Sequence, residues 1–150
     1  MKAVFDENLP PGLPRALAAV IPEHDFAHTN DVAGRGATDE AIFALLSADQ
    51  DAVLVTQDRR QKRTPHIQAA LRASGLTVVF LAKGWADLDN VKRLSRFCLW
   101  WPQIAEAIET CDRGAWFEVP SNTRVTQLKP LPGRSASQRD RRRHSRKRQR

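Results

Sequence analysis

Asp6-Glu7, Asp39-Glu40 and Asp58 are the residues of this chain best suited to chemistry. Carboxylates that lie close together repel one another unless something neutralises them. A hard divalent cation such as Mg²⁺ is the usual neutraliser, and it prefers oxygen ligands. A cation held in that way can lower the pKa of a bound water and stabilise charge on an attacked phosphate. Taken singly, each acid has a plainer reading. Asp39 and Glu40 suit the first turn of a helix, and Asp6 and Asp58 suit turns. A shared location would change that, and the elements that carry the acids decide it. If they do cluster, Asp6→Asn or Asp58→Asn is expected to relieve repulsion and leave the metal-free protein as stable or more stable.

Asp6 follows the apolar run Ala3-Val4-Phe5, and Asp58 follows the run Ala52 to Gln57. The second run is apolar on both faces for most of its length, as in a parallel strand covered on both sides. Between them, Leu13, Leu17 and Val20 recur at helical spacing, and His24 to His28 alternates as a strand does. Thr29 to Ala37 reads as a loop. Thr38 is a good N-cap, with Ile42, Leu45 and Leu46 as the buried stripe of its helix. Pro65 starts a further helix at the position proline favours, and Ser74-Gly75 ends it. Leu76 to Leu81 is a fourth strand. Asp87 or Asp89 caps a long helix from Val91 to Glu109, interrupted at Pro102, and Ala115 to Val119 is a fifth strand. This alternation implies right-handed crossovers and an α/β fold: a three-layer α/β/α sandwich with a mainly parallel sheet. In such sheets functional residues lie beyond the C-terminal ends of the strands. Asp6 and Asp58 stand at those ends, and the loop after the second strand brings Asp39 and Glu40 to the same side.

The 150 residues suffice for one domain with a real core. No stretch is long and apolar enough to span a membrane, and the start lacks the apolar region of a signal peptide, so a cytoplasmic location is expected. Cys98 and Cys111 would lie about 20 Å apart along one helix, too far for a disulfide. The net charge of +7 is uneven. Residues 134–150 hold nine basic residues and one acid, Asp140, a net of +8, which leaves −1 for the other 133 residues. Such a tail cannot bury enough apolar surface to fold alone. The expected organisation is a domain over 1–120, a linker over 121–133 and a basic tail over 134–150.

Three segments, in this order and spacing, resemble PIN-like domains that open with a DENLP motif. They are Phe5-Asp6-Glu7-Asn8-Leu9-Pro10, Gly36-Ala37-Thr38-Asp39-Glu40-Ala41-Ile42 and Val53-Leu54-Val55-Thr56-Gln57-Asp58-Arg59. Ala82-Lys83-Gly84-Trp85 and Trp100-Trp101-Pro102 look like the branch of VapC-type toxins of toxin–antitoxin pairs. The resemblance covers about residues 1–120. It implies a ribonuclease dependent on Mg²⁺ or Mn²⁺, with Asp6, Asp58 and either Asp39 or Glu40 as metal ligands and catalytic acids. Glu7, Asn8 and Thr56 would support them from behind, Thr56 by hydrogen-bonding a carboxylate. Arg59, Arg60, Lys62 and Arg63 would hold the RNA backbone, since phosphate contacts position without reading sequence. The fourth acid of classical PIN domains has no clear match, with only Asp87 and Asp89 in its region. The implied partners are RNA and a cognate antitoxin protein, with no membrane; a homodimer is left open.

His24, His28, His66 and His144 show no ligand spacing and read as structural or surface residues. Gly34 and Gly36 do not make a P-loop, because no Gly-Lys-Ser/Thr follows. Trp85, Trp100, Trp101 and Trp116 read as aromatic core before base-stacking platforms. Two other functions compete. One is a PIN-like module that binds RNA or protein without cutting. The other is a response-regulator-like domain, for which Lys83 is the sole candidate for the required later lysine.

Overall fold

The structure, a computed structural model, describes residues 1–132. The basic tail lies outside the described residues. Strands β1 (Lys2–Phe5), β2 (Asp25–His28), β3 (Ala52–Thr56), β4 (Thr77–Leu81) and β5 (Trp116–Val119) form one parallel sheet in the order β2-β1-β3-β4-β5. A last strand, β6 (Lys129–Leu131), adds antiparallel to β5. Helix α1 (Gly12–Val20) and the long α6 (Asn90–Thr110) cover one face with Phe5, Val53, Val55 and Val79. On the other face α3 (Asp39–Ser47) and α5 (Pro65–Ser74) pack over Val4, Leu54, Val78 and Phe80. The alternation of Val53 and Val55 against Leu54 is the pleat itself, which sends successive side chains to opposite faces. All five residues of β3 and all five of β4 are buried, as strands covered on both sides must be. The three-layer α/β/α arrangement is the expected one.

The tryptophans are core pillars. Trp85 stacks on Phe97 with ring centroids 4.7 Å apart and donates its indole N–H to the Val119 carbonyl at 3.0 Å. Trp100 donates to the Asn122 carbonyl, and Trp101 packs on Phe26. Gly84 stands where an added Cβ would meet the Ser121 hydroxyl oxygen at 2.1 Å, so a side chain there would push the turn after β4 off the segment after β5. Gly75, at φ 70°, ends α5 in the left-handed region and hands the chain to β4.

Several expectations need correction. Residues 29–33 are not loop but a short helix, α2 (Thr29–Ala33), because the buried His28 side chain caps it by accepting the Asn30 N–H. Leu45 is exposed; Phe43 takes its place beside Ile42 and Leu46 in the buried stripe of α3. Helix α6 runs through Pro102, because Phe97, Trp100, Trp101 and Ile104 anchor both halves in the core and offset the one N–H bond that proline lacks. The segment 121–133, expected to be a linker, contains β6, so the sheet extends beyond residue 120. Among the described residues no helix is long and apolar enough to cross a membrane.

Candidate active site

The chain runs from β1 to β2 on one side, then to β3 on the other side of β1. The strand order therefore reverses between β1 and β3. Open parallel sheets bind ligands in the crevice outside the carboxyl ends of the strands at such a point. Asp6 directly follows β1, and its backbone N–H donates to the Val55 carbonyl of β3 at 2.9 Å. Asp58 lies two residues beyond β3. Asp39 opens α3, whose cap Thr38 accepts the Ala41 N–H. Three elements distant in sequence thus deliver one acid each to the crevice.

Asp6 is 2% exposed and heavily hydrogen-bonded. Its Oδ1 accepts the Glu7 N–H at 2.8 Å. Its Oδ2 accepts the Thr56 hydroxyl at 2.8 Å, the Gln61 amide at 3.2 Å and, more weakly, the Asn8 amide at 3.4 Å. The Thr56 oxygen also accepts the Asp58 N–H at 2.9 Å, so a single hydroxyl joins the two acids. Asp58, also buried, faces Arg60 of the short helix α4 (Arg60–Arg63). The guanidinium donates from Nε at 3.1 Å and from a terminal nitrogen at 2.8 Å, and the Arg60 N–H adds a bond at 2.8 Å. Burial alone would push the Asp58 carboxyl up; the Arg60 bonds and charge outweigh it and hold the carboxyl below its ordinary value.

Asp39 is half-buried and makes no such pair among the described residues. Burial, and then the charges of Asp6 and Asp58, push its carboxyl above the ordinary value, with Arg60 and Gln61 acting the other way. The three acids therefore feel one another. Glu40 is exposed on the next position of the helix, turned about 100° away, so Asp39 is the helix acid of the crevice. Glu7 is exposed, and its charge faces Arg60. The chain carbonyl of Asn8 accepts the Gln57 amide at 2.8 Å.

The basic run divides. Arg60 is held by Asp58, and Lys62 pairs with Glu118 on β5 while lying over the Phe80 ring. Arg59 and Arg63 are exposed and make no ion pair among the described residues. Lys83 is exposed at the start of the turn after β4 and likewise makes no ion pair among the described residues. Among the described residues no group of three His, Cys, Asp or Glu side chains is placed to hold a metal ion. The donor set is nonetheless all oxygen, which is the chemistry of a hard cation. Asp58 points at Arg60, and Asp6 points at Thr56 and Gln61.

Gln61 was not legible as a site residue. It sits in a basic run, and nothing local marks its amide for an acid 55 positions away. Arg60 was legible as a base, but its place on Asp58 was not.

A family model of the PIN-like domain matches residues 1–83. The chain belongs to the PIN-like domain family. The match spans more than half of the chain and takes in β1 to β4 with all three crevice acids. It stops short of the longer extent to residue 120 that the resemblance implied. Comparison with curated proteins gives no match, and comparison with solved structures gives none either.

Proposed function

We propose that this PIN-like domain is a metal-dependent endoribonuclease. The supporting observation is the placement of Asp6, Asp39 and Asp58 at one crevice, where burial and then the charges of Asp6 and Asp58 raise the Asp39 carboxyl. Ionising Asp39 there is costly unless a cation uses the site. Asp6 and Asp39 would hold Mg²⁺ or Mn²⁺, joined by Asp58 once Arg60 releases it. The chemistry that such an ion supplies is a bound water of lowered pKa and charge stabilisation at the attacked phosphate. Thr56 fixes the Asp6 carboxylate and the Asp58 backbone together, which keeps the two strand-end acids in register. Arg59 and Arg63 are free to hold flanking phosphates, and a released Arg60 would join them. The toxin of a toxin–antitoxin pair, with a small cognate antitoxin, is the biological role that the DENLP-type opening favours.

The test is RNA cleavage with and without EDTA, on the wild type and Asp6→Asn. Cleavage should require Mg²⁺ or Mn²⁺ and vanish in the variant. Cleavage that survives EDTA, or an active Asp6→Asn, refutes the reading. For the toxin role, expression should arrest growth, and a small adjacent gene for a DNA-binding protein should be found whose co-expression relieves the arrest. One observation favours a second reading, a module that binds RNA or protein without cutting: Arg60 closes off Asp58 with a two-pronged pair. Salt-sensitive RNA binding with no cleavage under any metal would select it.

A further inference from the structure

Gln61 is 1% exposed, and its amide nitrogen lies against Asp6 Oδ2 at 3.2 Å while also acting on Asp39. Its amide oxygen, Oε1, is buried and has no hydrogen-bond partner among the described residues. Buried polar oxygens are nearly always satisfied, and an orphan calls for an explanation. The amide cannot simply be turned over in the metal-free protein, because Oε1 would then face the Asp6 carboxylate. Gln57 also has a buried, unpartnered amide oxygen, but its amide nitrogen donates to the Asn8 carbonyl and not to an acid. Among the described residues, only at Gln61 does an orphan oxygen sit on the same amide group as a donor to a crevice carboxylate.

We propose that Gln61 is a further oxygen ligand of the cation site, its NH₂ standing in for the cation against Asp6 when none is bound. The inference rests on the metal reading above. Amide carbonyls of Asn and Gln are ordinary ligands of hard cations. A half-turn of the amide would exchange the NH₂, which an ion makes redundant, for Oε1, which an ion would satisfy. A neutral donor also adds an oxygen to a crevice that already holds three acids, without adding a fourth negative charge.

The experiment is calorimetric titration of Mn²⁺ into the full chain as wild type, Gln61→Leu and Gln61→Glu, with thermal melts in EDTA to verify folding. Gln61→Leu keeps bulk but has no oxygen, and should bind Mn²⁺ about 10–100-fold more weakly, the usual loss when a supporting group of a metal site is removed. Gln61→Glu restores an oxygen and should bind at least as tightly as the wild type. Gln61→Leu binding as tightly as the wild type would overturn the inference alone. So would a Gln61→Glu as weak as Gln61→Leu, which would make Gln61 only a donor that props Asp6. If Gln61→Leu fails to fold, the comparison of Gln61→Glu with the wild type decides. A wild type that takes up no Mn²⁺ overturns the metal reading and this inference together.

Discussion

Replacing Thr56 by valine removes one oxygen and leaves the shape of the side chain nearly unchanged. Thr56 is fully buried, so no water can take over. Its hydroxyl donates to the Asp6 carboxylate at 2.8 Å and accepts the Asp58 N–H at 2.9 Å. A hydrogen bond to a charged group contributes about 1.5–3 kcal/mol, and a buried N–H left without an acceptor costs about 1–3 kcal/mol. Thr56→Val should therefore destabilise the metal-free protein by about 2–5 kcal/mol, since the two losses share one site and do not add fully. At about 2–4 °C per kcal/mol for a chain of this size, Tm should fall by roughly 5–15 °C. Thr56→Ser is the control. It keeps both bonds and gives up one buried methyl, a loss of about 1 kcal/mol. The expected order in thermal or urea melts, measured in EDTA, is wild type, then Ser, then Val, although valine is the closer match in shape. If Val melts at or above Ser, the hydroxyl is not what ties the two strand ends together, and the account of how Asp6 is held fails.

Asp39→Asn tests the repulsion. Because burial and the charges of Asp6 and Asp58 raise its carboxyl in the folded protein, ionising Asp39 costs stability. That cost is absent while Asp39 is protonated and appears as pH rises through the raised value. Metal-free Asp39→Asn should thus melt above the wild type at neutral pH, and the two should converge as pH falls below about 4. A constant gap across pH would assign the effect to something other than charge. Truncation after Gly133 removes the nine basic residues of the tail. RNA affinity should drop and its dependence on salt should flatten, because fewer counterions are released. Equal affinity and equal slope for the two forms would dismiss the tail as an RNA handle.

Local signals were enough for much of this protein. The runs at Ala52 to Thr56 and Thr77 to Leu81 are apolar on both faces, and only a covered parallel strand accommodates that. Thr38, Pro65, Gly75 and Asp89 mark helix ends through capping and backbone preferences that act over three or four residues. Once strand and helix alternate, handedness sends the ends of β1 and β3 to one edge, and Asp6 and Asp58 go with them. Contacts between distant segments were not legible. β6 pairs with β5 across a proline-containing stretch that has little strand character of its own. Helix α2 depends on a buried histidine cap, and α6 passes through Pro102 because the core holds both sides. In the crevice, sequence placed acids but not their partners. Crowding alone led to the expectation that neutralising Asp6 or Asp58 relieves strain. The fold points to Asp39 instead, because Asp6 already accepts donors from Glu7, Thr56 and Gln61, and Asp58 already holds Arg60. Charge is written in the residue, whereas its compensation depends on which donors the tertiary fold brings within about 3 Å.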